Sequence, residues 1–233
     1  MKKNMLSYVV NLSLALVLTL VGAVSFLGAG VKTVKASSPY YNGNKSNMVV
    51  SIMFNVYGGE EYLDQIVETL NVYDAKATFF IGGVWAIKHE DAIIKLCKSG
   101  NEIANHGYLH RDHKKLSYTQ NKDEIKTAER TIEGICGART KLFAPPSGSF
   151  SADTIKACDD LGYKTIMWSK DTIDWRDQNV DLIVKRATEN VLAGDLILMH
   201  PTKCSAQALP IILQKLKSKN FQIKTVSENI IIA

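Results

Sequence analysis

The alternation of short apolar runs with amphipathic helical patterns constrains this chain more than any other feature. Met48–Phe54 reads as a buried strand, and Glu60–Tyr73 as a helix with its apolar residues on one face. Ala77–Ile81 reads as a strand and Glu90–Ser99 as a helix stopped by Gly100. Glu102–Ala104 reads as a strand end, Thr119–Ile135 as a longer helix and Lys141–Phe143 as a short strand. Ala152–Leu161, stopped by Gly162, precedes the strand Lys164–Trp168; Val180–Leu192, ended by Gly194, precedes the strand Asp195–Met199. A helix over Ala206–Ser218 and a strand over Phe221–Thr225 complete the series. Strands that alternate with helices make βαβ units and a parallel sheet. About seven strands fall short of a closed eight-stranded barrel, so the expected fold is α/β, an open or distorted (β/α) barrel.

Ahead of this pattern the chain opens Met-Lys-Lys and runs uncharged and mostly apolar from Tyr8 to Ala29, long enough to span a bilayer as one helix. Val34-Lys-Ala36 has the small residues of a signal-peptidase site. Residues 1–36 are therefore expected to be a signal peptide or a membrane anchor, residues 37–47 a polar linker, and residues 48–233 an exported domain. The two lysines before the span place the N-terminus in the cytoplasm and the rest outside.

The net charge of +5 belongs to the leader. Residues 1–36 hold four lysines and no acid, which leaves 24 of the 28 basic residues against 23 acidic ones. A nearly neutral domain gives nucleic-acid binding no support. The four cysteines, Cys97, Cys136, Cys158 and Cys204, contain no CxxC pair and allow three disulfide connectivities. Cys97 and Cys158 sit in apolar helical patterns and read as buried free thiols. The absence of HExxH and of G-x-S-x-G argues against a zinc protease of that type and against a serine hydrolase.

Polar and small residues gather where strands end: Asn55-Val-Tyr-Gly-Gly59, His106 to His110, Pro145-Pro-Ser-Gly148, Asp171 to Trp175, and His200. Each has an ordinary reading as a turn, a stiff loop, a helix cap or a capped strand end. Their recurrence at five strand ends is the layout of a barrel active site. His106 and His110 have the spacing at which two imidazoles share one cation, on a helical face or in a loop that opens a helix.

Several phrases together make the region from Met48 to Ile230 similar to the polysaccharide deacetylase family (NodB homology, carbohydrate esterase family four), most of all to its sporulation-type branch. Ala75-Lys-Ala-Thr-Phe-Phe-Ile-Gly-Gly83 resembles the family's second strand. Asn105-His-Gly-Tyr-Leu-His110 resembles its metal-binding motif, Trp168-Ser-Lys-Asp-Thr-Ile-Asp-Trp175 its Asp-x-x-Asp-Trp motif, and Leu198-Met-His200 its Leu-x-His motif. The resemblance implies a metal-dependent hydrolase of N-acetylated polysaccharide, peptidoglycan or a chitin-like glycan. It implies His106 and His110 as ligands of a divalent metal, zinc by preference, and His200 as the acid that protonates the leaving amine. Asp171 or Asp174 would orient that imidazole. Trp175, Tyr57, Pro146 and Ser147 would touch the substrate.

Two departures from the family pattern matter. Its Thr-Phe-Asp-Asp-Gly motif is met here by Met53-Phe-Asn-Val-Tyr-Gly58, so Asn55 stands at the base position and Val56 at the metal carboxylate position. Asn55 cannot ionise, although its oxygen can accept a hydrogen bond or meet a metal. Ala144 stands where the family has the arginine that braces the base. Losing both members of a buried ion pair costs far less than losing one, so the two changes read as coordinated. The expected functions are an exported deacetylase-like hydrolase with an altered site, a glycan-binding domain without turnover, or an envelope protein whose histidines are ordinary polar core residues.

Overall fold

The computed structural model describes residues 37–231 and, ahead of them, residues 8, 10–17 and 19, which are helical. The chain divides into two units, Met1–Lys35 and Ala36–Ala233. Most of the expected span over Tyr8–Ala29, and the cleavage site after it, lie outside the described residues. Among the described residues no helix is long and apolar enough to cross a membrane.

The second unit is built on β1 (Val49–Val56), in which every residue is buried. That is the signature of a parallel strand covered on both faces. β1 lies between β2 (Thr78–Ile81) and β7 (Leu196–Met199), in register Met53 with Thr78 and Met53 with Leu198. β3 (Glu102–Asn105), β4 (Leu142–Phe143) and β5 (Lys164–Thr165) extend the sheet beyond β2, and β6 (Lys170–Asp171) extends it beyond β7. β8 (Gln222–Ile223) pairs with the start of β1. All these pairings are parallel. The sheet curls as a distorted barrel whose end strands, β5 and β6, are not paired with each other among the described residues.

Strand alternation divides the core into two layers. Ile52, Phe54 and Val56 of β1 join Phe79, Ile81 and the helices in the outer layer. Met53, Phe80, Ala104, Leu142, Ala144, Ile166 and Leu198 fill the barrel interior. The covering helices are α1 (Glu60–Val72), α2 (Gly83–Lys88), α3 (Glu90–Lys98), α4 (Tyr118–Cys136), α5 (Ala152–Asp160), α6 (Asp174–Asp177), α7 (Val180–Thr188), α8 (Lys203–Ser218) and α9 (Val226–Ile231). α4 starts at a capping box made by Ser117 and Gln120 and stops at Gly137, whose φ is 73°.

Several expectations need correcting. The strand expected over Lys164–Trp168 ends at Thr165, because Trp168 leaves the sheet toward the cleft described below. β6 was not expected: its two residues, Lys170 and Asp171, carry no apolar alternation. α2 and α9 are also additions, each six residues long and short of two helical turns. Segment 37–47 does not hang free as a linker. Tyr40 bridges to Ile166 and Asn42 to Asp195, and the Asn44 N–H donates to the Asn229 carbonyl at 2.9 Å. Its backbone pairing, invisible in composition, ties it to the domain.

Cys97 is not a free thiol. It lies in the last turn of α3, its Cα 6.4 Å from that of Cys136 at the end of α4, and the two form a disulfide. Cys158 stays buried and unpaired, with burial pushing its thiol up to about 12. The crosslink closes a span of 39 residues, for which loop entropy gives an upper figure of about 4 kcal/mol. Replacing Cys97 and Cys136 together by serine is expected to lower unfolding free energy in urea by about 2–4 kcal/mol. Alkylation of the unfolded, unreduced protein is expected to modify Cys158 and Cys204 alone.

Candidate active site

Parallel strands end on one side, and the chemically capable residues all lie at those ends. Asn55 is next to last in β1, His106 follows β3, Ala144 follows β4, and His200 follows β7. Asp174 opens the short helix α6, three residues after β6. Asn55, His106, His110, Ser147, Trp168, Asp171, Trp175, Leu198 and His200 line one cleft of about 410 Å³.

The two-histidine segment is a loop and not a helical face. Gly107 and His110 both have left-handed backbones, φ 77° and 54°. His106 is buried, and its Nδ1 lies 2.8 Å from the Ala144 carbonyl oxygen. A carbonyl only accepts, so Nδ1 carries the proton and Nε2 keeps its lone pair. Burial, with the His110 charge next, pushes the His106 imidazole down to about 3. Burial also lowers His110. The His110 ring lies 5.1 Å from that of His106 and 4.5 Å from that of Tyr57.

Asp174 is fully buried and holds three donors. Its Oδ1 accepts from His200 Nδ1 at 2.7 Å, and its Oδ2 accepts from the His200 N–H at 2.6 Å and the Ser205 hydroxyl at 2.5 Å. The carboxylate fixes the tautomer, leaving Nε2 of His200 free. Of the two candidate aspartates, Asp174 therefore orients the imidazole. Asp171 lines the cleft but accepts the Ile173 N–H at 2.8 Å. The loop before α6 is braced by Arg186, which donates to the Thr172 carbonyl at 2.9 Å and pairs with Asp177.

Positions 55, 56 and 144 separate by layer. Asn55 is 5 % exposed, lines the cleft, and its Oδ1 has no hydrogen-bond partner among the described residues. Val56 packs instead into the apolar layer between sheet and helices. Ala144 is fully buried in the barrel interior. Trp175 is 58 % exposed and lines the cleft, while Tyr57 stands outside the lining, its ring against His110. Ser147 reaches the cleft with a left-handed φ of 54°; Pro146 is buried and does not line it. Trp168 and Leu198 are additions to the expected site. Their signal was adjacency to Asp171 and His200 in sequence.

Among the described residues no three His, Cys, Asp or Glu side chains gather to hold a metal. The cleft lining offers the His106, His110 and His200 imidazoles, the Asn55 amide oxygen and the Asp171 carboxylate as separate donors. The neighbouring His106 and His110 imidazoles are nitrogen donors, which suit an imidazole-seeking cation more than a hard, carboxylate-seeking one.

Comparison with known proteins agrees with this geometry. The Polysaccharide deacetylase family model matches residues 42–166. The uncharacterised protein YlxY of Bacillus subtilis is 35% identical over 190 residues, which are 82% of this chain and 60% of the relative. The chain thus spans less than two thirds of that relative's length. A peptidoglycan-N-acetylglucosamine deacetylase of Bacillus cereus is 27% identical over 80% of this chain and 70% of its own. The crystal structure of BA3943, described as a CE4 family pseudoenzyme from Bacillus anthracis, matches with a TM-score of 0.81 and 35% identity over 83% of this chain and 69% of that one. A BA3943 mutant described as having restored enzymatic activity matches with the same TM-score and 33% identity, over 83% of this chain and 71% of that one.

The buried His106 makes a prediction about acid. Its folded value of about 3 lies below the ordinary 6.5, so between these limits the unfolded chain binds the extra proton. Its contribution is complete above pH 6.5 and is lost progressively down to pH 3, at up to about 1.4 kcal/mol per pH unit. Urea unfolding across this range is expected to show a shallower pH slope for His106→Asn than for wild type. Equal slopes would contradict the buried neutral imidazole.

Proposed function

The chain belongs to the polysaccharide deacetylase family, and from that membership we propose that it acts on an N-acetylated cell-wall glycan of the peptidoglycan type through a weakened deacetylase site. The observation that carries this reading is the Asp174–His200 pair set in the same cleft as His106 and His110. An acetamide resists hydrolysis because its amine is a poor leaving group until protonated. His200 is placed to supply that proton from Nε2, while the buried Asp174 carboxylate stabilises the imidazolium that donates it. His106 and His110 would hold a divalent cation, zinc in preference, which when bound polarises the acetyl carbonyl and acidifies water. Trp175, on the cleft lining, offers an exposed aromatic ring to a sugar, while Tyr57 is exposed beside His110 and outside the lining. Asn55 can accept a hydrogen bond but takes no proton, so the step that activates water is slow.

The same proposal places the protein outside the cytoplasm, anchored or secreted, on the cell or spore envelope. The Met-Lys-Lys start with its apolar run, and the Cys97–Cys136 disulfide, both suit that compartment. Peptidoglycan, named for the Bacillus cereus relative, lies there too.

A second reading, glycan binding without turnover, is favoured by the combined changes at Asn55, Val56 and Ala144, and BA3943 is described as a pseudoenzyme. Acetate release from N-acetylated chitooligosaccharides and from peptidoglycan, with zinc supplied, separates the two. The proposed reading expects slow release that His200→Ala reduces by about 10²–10⁴-fold. It expects Asn55→Asp with Ala144→Arg to raise release, since the restored carboxylate then has its cation. Release no greater than that of His200→Ala, with glycan still bound, would establish the second reading.

A further inference from the structure

The loop between the two imidazoles is held from behind by a group outside every motif that marks the site. Glu124, on α4, is 5 % exposed. Its Oε2 accepts the Tyr108 N–H at 3.0 Å and the Leu109 N–H at 2.8 Å. Tyr108 and Leu109 lie between His106 and His110. The next residue of α4 serves the same loop: the Ile125 carbonyl accepts from Asn105 Nδ2 at 2.9 Å, and Asn105 Oδ1 accepts the Gly107 N–H at 2.8 Å. One turn earlier, Asn121 Oδ1 lies 2.7 Å from Nδ1 of the buried His113. A Cβ built on Gly107 would stand 3.1 Å from His113 Nε2 and 3.7 Å from Glu124 Oε2. The loop is thus packed closely on the His113 ring, with Glu124 of α4 in contact beside it, where a left-handed glycine lets its backbone approach.

A buried carboxylate persists only where donors replace its water. Here those donors are the peptide groups that set the separation of the histidines. The left-handed backbone at His110 is unfavourable for a residue with a Cβ and holds only where its surroundings enforce it. We propose that Glu124 is a positioning residue: it binds the Tyr108 and Leu109 peptides so that both imidazoles face one cleft, while touching neither ring. Its consequence for metal uptake rests on the reading of His106 and His110 as cation ligands.

The test uses the full chain and four forms: wild type, Glu124→Gln, Glu124→Asp and Glu124→Ala. Three readouts are taken: hydrogen exchange of the Tyr108 and Leu109 amides, zinc titration by calorimetry, and exchange of the α4 interior at Ile125 and Ala128 as a control for folding. Glu124→Ala is expected to speed exchange at Tyr108 and Leu109 and to weaken zinc binding on the order of 10–100-fold, as loss of a group supporting metal ligands does. Glu124→Gln keeps an accepting oxygen and is expected to recover most of both. Glu124→Asp keeps the charge but falls one methylene short, so it should lose loop protection while α4 stays protected; it keeps the test open if the alanine form does not fold. Wild-type exchange at both amides in Glu124→Asp or Glu124→Ala would overturn the proposal, as would a glutamine form no better than alanine. Faster loop exchange in the variants, with no zinc taken up even by wild type, would support the positioning role and reject the cation.

Discussion

Every polar group of the cleft depends on one constraint, that the strands of this sheet run parallel and so end on the same side. β1 is buried along its whole length and pairs on both flanks, with β2 and with β7. Its register brings Asn55 to the same edge as the residues following β3, β4 and β7. The site is therefore assembled from five loops that share no sequence proximity. What the loops add is orientation: the Ala144 carbonyl turns one imidazole, the Asp174 carboxylate turns another, and Glu124 holds the peptide between the metal-ligand candidates.

Positions 55, 56 and 144 read differently once the strand alternation is in view. Asn55 and Val56 are neighbours in sequence but face opposite layers, Asn55 toward the cleft and Val56 toward the helices. Asn55 gives the cleft an uncharged polar group. Val56 instead adds to an apolar layer that includes Phe54 and Ile81. Ala144 keeps its backbone role toward His106 whatever its side chain, because the carbonyl does the bonding. The His106 and His200 contacts are therefore formed with no charged side chain at positions 55, 56 and 144.

The barrel and the polar strand ends were legible because long apolar runs and helical periodicity leave strong patterns. β6 was not, since a two-residue strand of Lys170 and Asp171 carries no alternation. The choice between Asp171 and Asp174 was not legible either. Both flank the same turn, and only burial and hydrogen bonding show that Asp174 holds His200. Glu124 sits among polar residues of an amphipathic helix, where a charge ordinarily faces solvent; its burial follows from how α4 packs on the His106 loop. The Cys97–Cys136 pair was one of several possible connections, and the packing of α3 on α4 selects it.

The central claim is that this cleft takes the N-acetyl group of a glycan. Saturation-transfer NMR with an N-acetylated chitooligosaccharide measures it most directly, because it reports which ligand protons lie against the protein. The account predicts that the acetyl methyl protons receive the strongest transfer, and that Trp175→Ala weakens transfer to the sugar ring beside it. Transfer spread evenly along the glycan, or none, or a strong acetyl signal unchanged when Trp175 and His200 are both replaced by alanine, would contradict it.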